Sequence, residues 1–271
     1  MSAVFDLKRR LQEMGISPKK AFGQNFLVSK TVIDRIVGAV QSRTFSDLIE
    51  IGPGLGALTE KLIEAGMKPR LIELDRDFVA HWRGRGLDTI DQDALKLDWP
   101  SLKLRDNSLL VSNLPYNIST HLVVDRCSGP SQLQHMILMF QKEVAQRLTA
   151  QPRTKDYGLL SVMVQVHFSI AKVIDAAPRD FYPAPKIASR VLAFTRRPDP
   201  GVGSKFLPLL KAGFAFRRKF LLKNLKGVVD KATMELLPDL WAELKLKPQA
   251  RAEELTPEQW VELHKKLYDR N

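Results

Sequence analysis

The most informative stretch of the 271-residue chain is a four-residue turn, Asn113-Leu114-Pro115-Tyr116. It follows an apolar run at residues 108–112 that predicts a buried strand. The Asn113 side-chain oxygen can accept a hydrogen bond from an amino group. The main-chain carbonyl of Leu114 is a second acceptor, because Pro115 restricts the residue before it. Tyr116 adds a ring on which a nucleobase can stack, worth roughly 1–3 kcal/mol. The turn therefore suits the exocyclic amino group of an extruded base.

Adenine N6 is such an amino group, and it is a weak nucleophile because its lone pair is delocalised into the ring. Acceptors that bind the N6 hydrogens turn the lone pair toward an electrophile. Taking a base out of its stack costs on the order of a few kcal/mol, and stacking on the Tyr116 ring offsets part of that cost. The turn thus predicts methyl transfer from a sulfonium. We expect neither a metal ion nor a strong general base, since a sulfonium is already activated.

A glycine-rich loop lies at residues 50–57, where the first predicted strand meets a helix predicted over 56–65. Glycines let the backbone approach a ligand closely, and a helix start offers unpaired N–H groups. Gly52, Gly54 and Ala57 also satisfy the dinucleotide pattern G-x-G-x-x-A. The loop alone is therefore typical of both S-adenosylmethionine and nicotinamide enzymes.

Two acids and one proline favour S-adenosylmethionine. Glu73 ends the second predicted strand and can bind ribose hydroxyls, while Asp93 follows the third and can accept a hydrogen bond from an adenine amino group. Pro53 reduces the number of N–H groups available to a pyrophosphate, which a methionine moiety does not need. This combination indicates a nucleoside-type cofactor.

Short apolar runs alternate with helical stretches over residues 45–140, as is typical of βαβ units and a parallel sheet. The predicted strands lie at residues 47–52, 70–75, 88–90, 108–112 and 136–140, with a closing pair at 171–174 and 189–194. The sequence therefore predicts a Rossmann-like α/β domain.

Prolines and a glycine at residues 196–201 indicate a linker after this domain. Thr256 and Pro257, with a glutamine three residues after the threonine, predict a helix start. We expect a first domain at 1–198, including an N-terminal arm at 1–30, and a small helical domain at 199–271.

The net charge of +12 indicates a polyanionic partner, either nucleic acid or a membrane surface. Residues 205–231 carry eight basic residues against one acid, interleaved with phenylalanines, which suits RNA. The chain has no apolar stretch of the roughly 18 residues that would span a bilayer and no apolar leader. The lone Cys127 cannot form an internal disulfide, so we expect a packing residue in a protein of the cytoplasm.

Five groups of residues along the chain form a specific combination. They are Gly23-Gln24-Asn25-Phe26-Leu27, Glu50-Ile51-Gly52-Pro53-Gly54, Glu73-Leu74-Asp75, Asn113-Leu114-Pro115-Tyr116-Asn117-Ile118-Ser119, and Phe181-Tyr182-Pro183-Ala184-Pro185-Lys186 with Ser189-Arg190-Val191. On these motifs the chain resembles, nearly end to end, the KsgA/Dim-type family of small-subunit ribosomal RNA adenine dimethyltransferases. Tyr182 and Ala184 are less common residues at their positions in the last motif, which is otherwise intact.

The resemblance implies a class I S-adenosylmethionine-dependent methyltransferase fold with a helical RNA-binding domain. It implies that Asn113 borders both cofactor and target, and that Phe181 stacks on the target adenine opposite Tyr116. The implied cofactor contacts are Asn25 and Leu27 at the methionine end, Gly52 and Gly54 in the floor, Glu73 at the ribose and Asp93 at the adenine. The implied substrate is two adjacent adenosines in a hairpin loop near the 3′ end of 16S ribosomal RNA, modified by a monomer during ribosome biogenesis.

Two other functions remain open on the sequence, and two more are disfavoured. One is a 23S ribosomal RNA adenine-N6 methyltransferase of the antibiotic-resistance type, which shares both motifs. Another is a non-enzymatic RNA-binding assembly factor, although its site would have no reason to keep Asn113, Pro115 and Tyr116 together. A DNA adenine methyltransferase usually carries an Asn/Asp-Pro-Pro motif, which is absent. A dehydrogenase leaves the turn and the basic tail unexplained.

Overall fold

The structure is a computed structural model that describes residues 3–18, 24–226, 229 and 231–268, with residues 231–236 described by their backbone alone. Gly23 of one motif, and Asp230 and the side chain of Lys231 in the basic run, lie outside this description. The chain divides into two compact units, Met1–Ala145 with Ile170–Arg196, and Gln146–Ser169 with Arg197–Asn271.

A seven-stranded sheet organises the first unit. Five neighbouring strands are parallel, and the last strand of the chain pairs antiparallel beside them. A separate two-stranded sheet pairs β1 with β8. The strands are β1 Phe26–Leu27, β2 Leu48–Ile51, β3 Arg70–Glu73, β4 Thr89–Asp91, β5 Ser108–Ser112, β6 Leu133–Gln141, β7 Phe168–Ala176, β8 Phe181–Tyr182 and β9 Ser189–Arg196, and the large sheet runs β4-β3-β2-β5-β6-β9-β7.

Helices cover this sheet and build the second unit. In the first unit they are α1 Ala3–Glu13, α2 Lys30–Gln41, α3 Thr59–Glu64, α4 Arg76–Gly84 and α5 Tyr116–Cys127, and α6 Lys142–Leu148 begins there. In the second unit they are α7 Leu159–His167, α8 Phe206–Gly213, α9 Leu221–Leu225, α10 Lys231–Glu243 and α11 Pro257–Tyr268. The predicted α/β architecture with a helical C-terminal part is confirmed.

The core explains why the parallel strands appear as unbroken apolar runs. Leu109, Leu110 and Val111 of β5 are fully buried, as expected for a strand covered on both faces. Each such side chain contributes about 1.5–3 kcal/mol when removed from water. One apolar cluster joins the buried face of α2 to β2 and β5, and a second joins α1 to the glycine loop and α4. The two clusters fix the loops at the carboxyl ends of the strands.

The helix predicted from residue 56 begins three residues later, at Thr59. Gly56 has a φ of +86°, which is incompatible with a right-handed helix. A Cβ at this position would lie 2.5 Å from the Trp82 ring, so the backbone passes too close for any other residue. The glycine loop is therefore longer than the pattern predicted.

The second unit includes residues 146–169, although the sequence predicts a first domain that is continuous to residue 198. This segment contains α7, which is buried on nearly all sides and packs against α8 and α11 of the same unit. Tyr157 in this segment donates its hydroxyl proton to the Leu255 carbonyl at 2.7 Å. The predicted start of α11 is confirmed: the Gln259 N–H donates to the Thr256 hydroxyl at 3.2 Å, and the Thr256 N–H donates to the Gln259 side chain at 2.9 Å.

Candidate active site

A cavity of about 510 Å³ opens at the carboxyl ends of β2, β3 and β5. This is where open α/β sheets bind ligands, and roughly 300–1,000 Å³ is usual for a small-molecule site. The glycine loop, the turn at residues 113–116 and α1 all line it. The topology thus brings motifs that are far apart in the chain to one place.

The glycine loop keeps its N–H groups occupied. The three glycine N–H groups all donate within the protein: Gly52 to the Ile72 carbonyl at 2.9 Å, Gly54 to the Glu73 carboxylate at 3.1 Å, and Gly56 to the Pro53 carbonyl at 2.8 Å. The Gly54 carbonyl in turn accepts a hydrogen bond from the Trp82 indole at 2.9 Å, which fixes the loop. These glycines therefore offer a pyrophosphate no N–H donor, in line with the argument made from Pro53.

The neighbouring strands β2 and β3 each carry a buried carboxyl group. Glu73 is 8% exposed and accepts from the N–H groups of Gly54, Leu74 and Asp75, yet burial raises its pKa above the ordinary value. Glu50 is 2% exposed, and burial together with the charge of Glu73 raises its pKa to about 8, against the smaller opposing effect of Thr59. Both residues line the cavity.

The charged side chains around the cavity favour a positively charged cofactor. Acidic side chains predominate in its lining, and the guanidinium of Arg10 is engaged with the Leu55 carbonyl at 2.8 Å. Such a lining attracts a cation and repels a pyrophosphate. The acids that give this lining its negative charge are Asp6, Glu73 and Asp93, whereas Glu50, with a pKa of about 8, also lines the cavity but is protonated at neutral pH. The cavity therefore fits S-adenosylmethionine, which carries a sulfonium and an ammonium, and does not fit a dinucleotide.

The turn after β5 contributes Asn113 to the lining of the cavity. The side-chain NH₂ of Asn113 donates to the main-chain carbonyl of Asn25 at 3.2 Å. Because nitrogen and oxygen occupy opposite corners of the amide, this bond leaves the Asn113 oxygen as an acceptor. Tyr116 begins α5, and its hydroxyl lies 2.7 Å from the hydroxyl of Ser189. Burial raises the pKa of Tyr116, so the phenol stays protonated at neutral pH.

The structure brings nearly all the predicted site residues to this cavity. Asp93 is partly exposed at its rim and accepts from the Leu95 N–H at 2.9 Å with one oxygen, which leaves the other for a ligand. The predicted residues that line the cavity are Asn25, Leu27, Gly52, Gly54, Glu73, Asp93, Asn113, Leu114, Pro115 and Tyr116.

Phe181 is the exception. It is 3% exposed, its strand pairs with β1 opposite Leu27, and it packs in the apolar cluster under α2. Phe181 does not contribute to the lining of the cavity among the residues that the structure describes. A stacking role for this ring would require it to leave that cluster.

Sequence reasoning missed the contribution of α1. Asp6, Leu7 and Arg10 line the cavity, while Leu7 and Leu11 pack on the glycine loop. The available signal was the four-residue spacing of these leucines, which is typical of one helix face. It was obscured by the charged residues around it.

In the basic run at residues 205–231, some phenylalanines are buried in the core of the second unit and others lie at the surface. Phe206 is 1% exposed, and Phe214 stacks on Trp260 with ring centroids 5.4 Å apart. Phe216, by contrast, is 58% exposed, and the Lys219 ammonium lies 4.2 Å from its ring centroid. The surface between α8 and α9 therefore combines an exposed ring with exposed cations. Among the residues that the structure describes, no helix is both long and apolar enough to cross a membrane.

Comparison with known proteins agrees with this geometry. Residues 16–269 match the family described as ribosomal RNA adenine dimethylase. A protein of Bdellovibrio bacteriovorus named ribosomal RNA small subunit methyltransferase A is 48% identical, over 96% of this chain and 96% of its own length. A protein of the same name from Syntrophotalea carbinolica is 40% identical, over 92% of this chain and 97% of its own.

Two solved structures share the fold. A dimethyladenosine transferase from Plasmodium falciparum superimposes with a TM-score of 0.72 at 23% identity, covering 88% of this chain and 95% of its own. The 23S rRNA methyltransferase ErmE superimposes with a TM-score of 0.67 at 24% identity, covering 91% of this chain and 100% of its own.

The family match and the relatives, together with the shared fold, define a class I S-adenosylmethionine-dependent methyltransferase. Within that class, the chain belongs to the ribosomal RNA adenine dimethylase family. It is therefore an enzyme that acts on adenine in ribosomal RNA, and the dehydrogenase and DNA readings are set aside.

Proposed function

We propose that the chain dimethylates N6 of two adjacent adenosines in a hairpin loop near the 3′ end of 16S ribosomal RNA, as a step in small-subunit biogenesis. The observation that carries this proposal is the Asn113 side chain, whose NH₂ is held by Asn25 so that its oxygen can accept from an adenine amino group. The name of the relatives, which refers to the small subunit, supports the choice of RNA. We propose that the enzyme works as a monomer on the subunit or its assembly intermediate.

S-adenosylmethionine, when bound, supplies an electrophilic methyl group on a sulfonium. Asn113 and the Leu114 carbonyl accept the two N6 hydrogens and thereby direct the nitrogen lone pair at that methyl group. Tyr116 stacks on the extruded base, which offsets roughly 1–3 kcal/mol of the cost of extrusion. The methylated nitrogen is cationic and therefore acidic, so it loses one proton to water without a strong base. A single N–H then remains, and Asn113 still orients it for the second transfer.

The lining of the cavity supports the proposed cofactor contacts. Glu73 would bind the ribose hydroxyls, since each carboxylate oxygen can accept more than one hydrogen bond. The second oxygen of Asp93 would accept from the adenine amino group. Asn25 and Leu27 would cover the methionine end, with Gly52 and Gly54 as the floor. Phe181 would complete a sandwich around the target only after it is uncovered.

The second unit would hold the RNA through its surface between α8 and α9. Arg218 and Lys219 are exposed there beside the Phe216 ring. Phosphate contacts of this kind supply affinity without sequence information. The choice of adenosine would then rest with the cavity and with the shape of the hairpin.

Transfer of labelled methyl groups to purified substrates tests the proposal. The substrates are immature small subunits, free 16S RNA and 23S RNA, each followed by nucleoside analysis, with Asn113→Ala as the inactive control. N6,N6-dimethyladenosine confined to small-subunit RNA is expected. Label in 23S RNA would favour the resistance-type enzyme instead, and binding without label would favour an assembly factor.

A further inference from the structure

The hydroxyl of Tyr116 forms a hydrogen bond with a residue from a distant part of the chain. Its oxygen lies 2.7 Å from the Ser189 hydroxyl oxygen, and the two residues are 73 positions apart. Ser189 is fully buried, and Tyr116 is partly buried at the cavity. A buried pair of hydroxyl groups is costly to separate, because the remaining group then has no partner.

Ser189 is itself held rigidly. It is the first residue of β9 and pairs with Gln141 at the end of β6. On one side, the Ala188 carbonyl accepts from the Lys142 N–H at 2.9 Å. On the other side, Arg190 donates two hydrogen bonds to Asp175, at 2.6 and 3.1 Å, and these hold the pKa of Asp175 well below its usual range. Tyr116 is therefore tied to a fixed point of the sheet.

The hydrogen bond to Ser189 controls the direction of the long axis of the Tyr116 ring. The phenol oxygen lies on the long axis of the ring, so a bond to it fixes where that axis points. At the other end of the side chain, the Tyr116 backbone is held in the first turn of α5, where its carbonyl accepts from the Ser119 hydroxyl at 3.0 Å. With both ends fixed, the long axis of the ring keeps one direction in the cavity that Tyr116 lines together with Asn113.

We propose that Ser189 is a positioning residue, which holds the long axis of the Tyr116 ring in the direction that places the target adenine against Asn113. The inference rests on the proposed role of Tyr116 as the ring that stacks on the base. Ser189 touches neither base nor cofactor, and it acts only through the tyrosine hydroxyl. It therefore contributes to the rate of transfer and not to the affinity for RNA or cofactor.

Single-turnover methyl transfer by four variants of the full chain tests this. Ser189→Ala removes the partner, Tyr116→Phe removes the hydroxyl and keeps the ring, and the third variant combines both. Ser108→Ala is the matched control, because Ser108 is an equally buried strand residue whose hydroxyl donates to the Arg105 carbonyl at 2.6 Å outside the cavity lining. Equilibrium binding of cofactor and of RNA is measured for each variant.

We expect Ser189→Ala and Tyr116→Phe each to lower the rate of transfer by roughly threefold to tenfold, the usual worth of one neutral hydrogen bond. The double variant should be no slower than either single one, and both affinities should stay within about twofold of the parent. The Ser108→Ala control should keep the parent rate.

Additive losses in the double variant, or a loss of affinity as large as the loss of rate, would overturn the positioning role. So would a parent rate in Ser189→Ala. Tyr116→Ala separates this failure from that of the proposed function. Full activity without the ring would remove the stacking role itself, whereas a large loss beside a fully active Ser189→Ala would remove only the contribution of Ser189.

Discussion

Replacing Glu50 by glutamine should make the stability of the cofactor-free protein less dependent on pH. Glu50 is 2% exposed, and its carboxyl has a pKa of about 8 in the fold against a usual 4.5. Between these two values the folded protein binds a proton that the unfolded chain has lost. The free energy of unfolding therefore falls as the pH rises through this window.

The size of the effect follows from the two pKa values. Integrating the proton difference between about pH 5 and about pH 8 gives a loss of roughly 3 kcal/mol from Glu50 alone. That is roughly 6–12 °C in Tm for a unit of this size. Glu73 adds to the loss in the same direction, because burial also raises its pKa. The neutral amide of Glu50→Gln cannot ionise, so the variant should retain the Glu73 part only.

Urea unfolding of the parent and of Glu50→Gln at a series of pH values measures this difference. Glu262→Gln is the control, since that side chain is exposed on α11. We expect the control to follow the parent profile and Glu50→Gln to lie above it at high pH, by an amount that grows with pH. Parallel profiles for all three proteins would refute the claim that Glu50 is buried in its neutral form.

Three further outcomes are expected. Asn113→Ala should lower labelled methyl transfer by roughly 100-fold or more, with RNA affinity by filter binding unchanged; normal turnover would exclude the acceptor role. Glu73→Ala should weaken cofactor binding in equilibrium dialysis by roughly 10-fold to 100-fold, the worth of hydrogen bonds to a charged group; equal affinity would contradict the ribose assignment. Neutralising Arg218 and Lys219 to glutamine should reduce the slope of log affinity against log salt by about 0.7–0.9 per charge. Arg217→Gln should change it less, because Arg217 is paired within its own unit; an equal change would contradict this ranking.

The strands were predictable because their signal is local. The apolar run at residues 108–112 coincides with β5, and the runs for β2 and β3 contain the observed strands. A parallel strand covered on both faces needs only continuous apolar residues, which are visible in a short window. The glycine loop and the turn after β5 were placed in the same way, since each directly follows such a run.

Contacts between distant segments were not predictable from these windows. The burial of Phe181 depends on a two-residue pairing with Leu27, and the Tyr116 bond depends on Ser189. Neither pair leaves a periodic pattern in the sequence. The same holds for residues 146–169, whose apolar helix is compatible with either unit until its neighbours are known.

The pairing of β6 with β9 also has a consequence for synthesis. Between these strands the chain leaves the first unit, contributes residues 146–169 to the second, and then returns. The ribosome must therefore release about 50 further residues after β6 before its partner β9 is available. Until then a nascent chain can carry the glycine loop and Asn113 but has no anchor for the hydroxyl of Tyr116. The first unit therefore cannot complete its sheet until translation has passed residue 196, even though its five parallel strands are synthesised by residue 141.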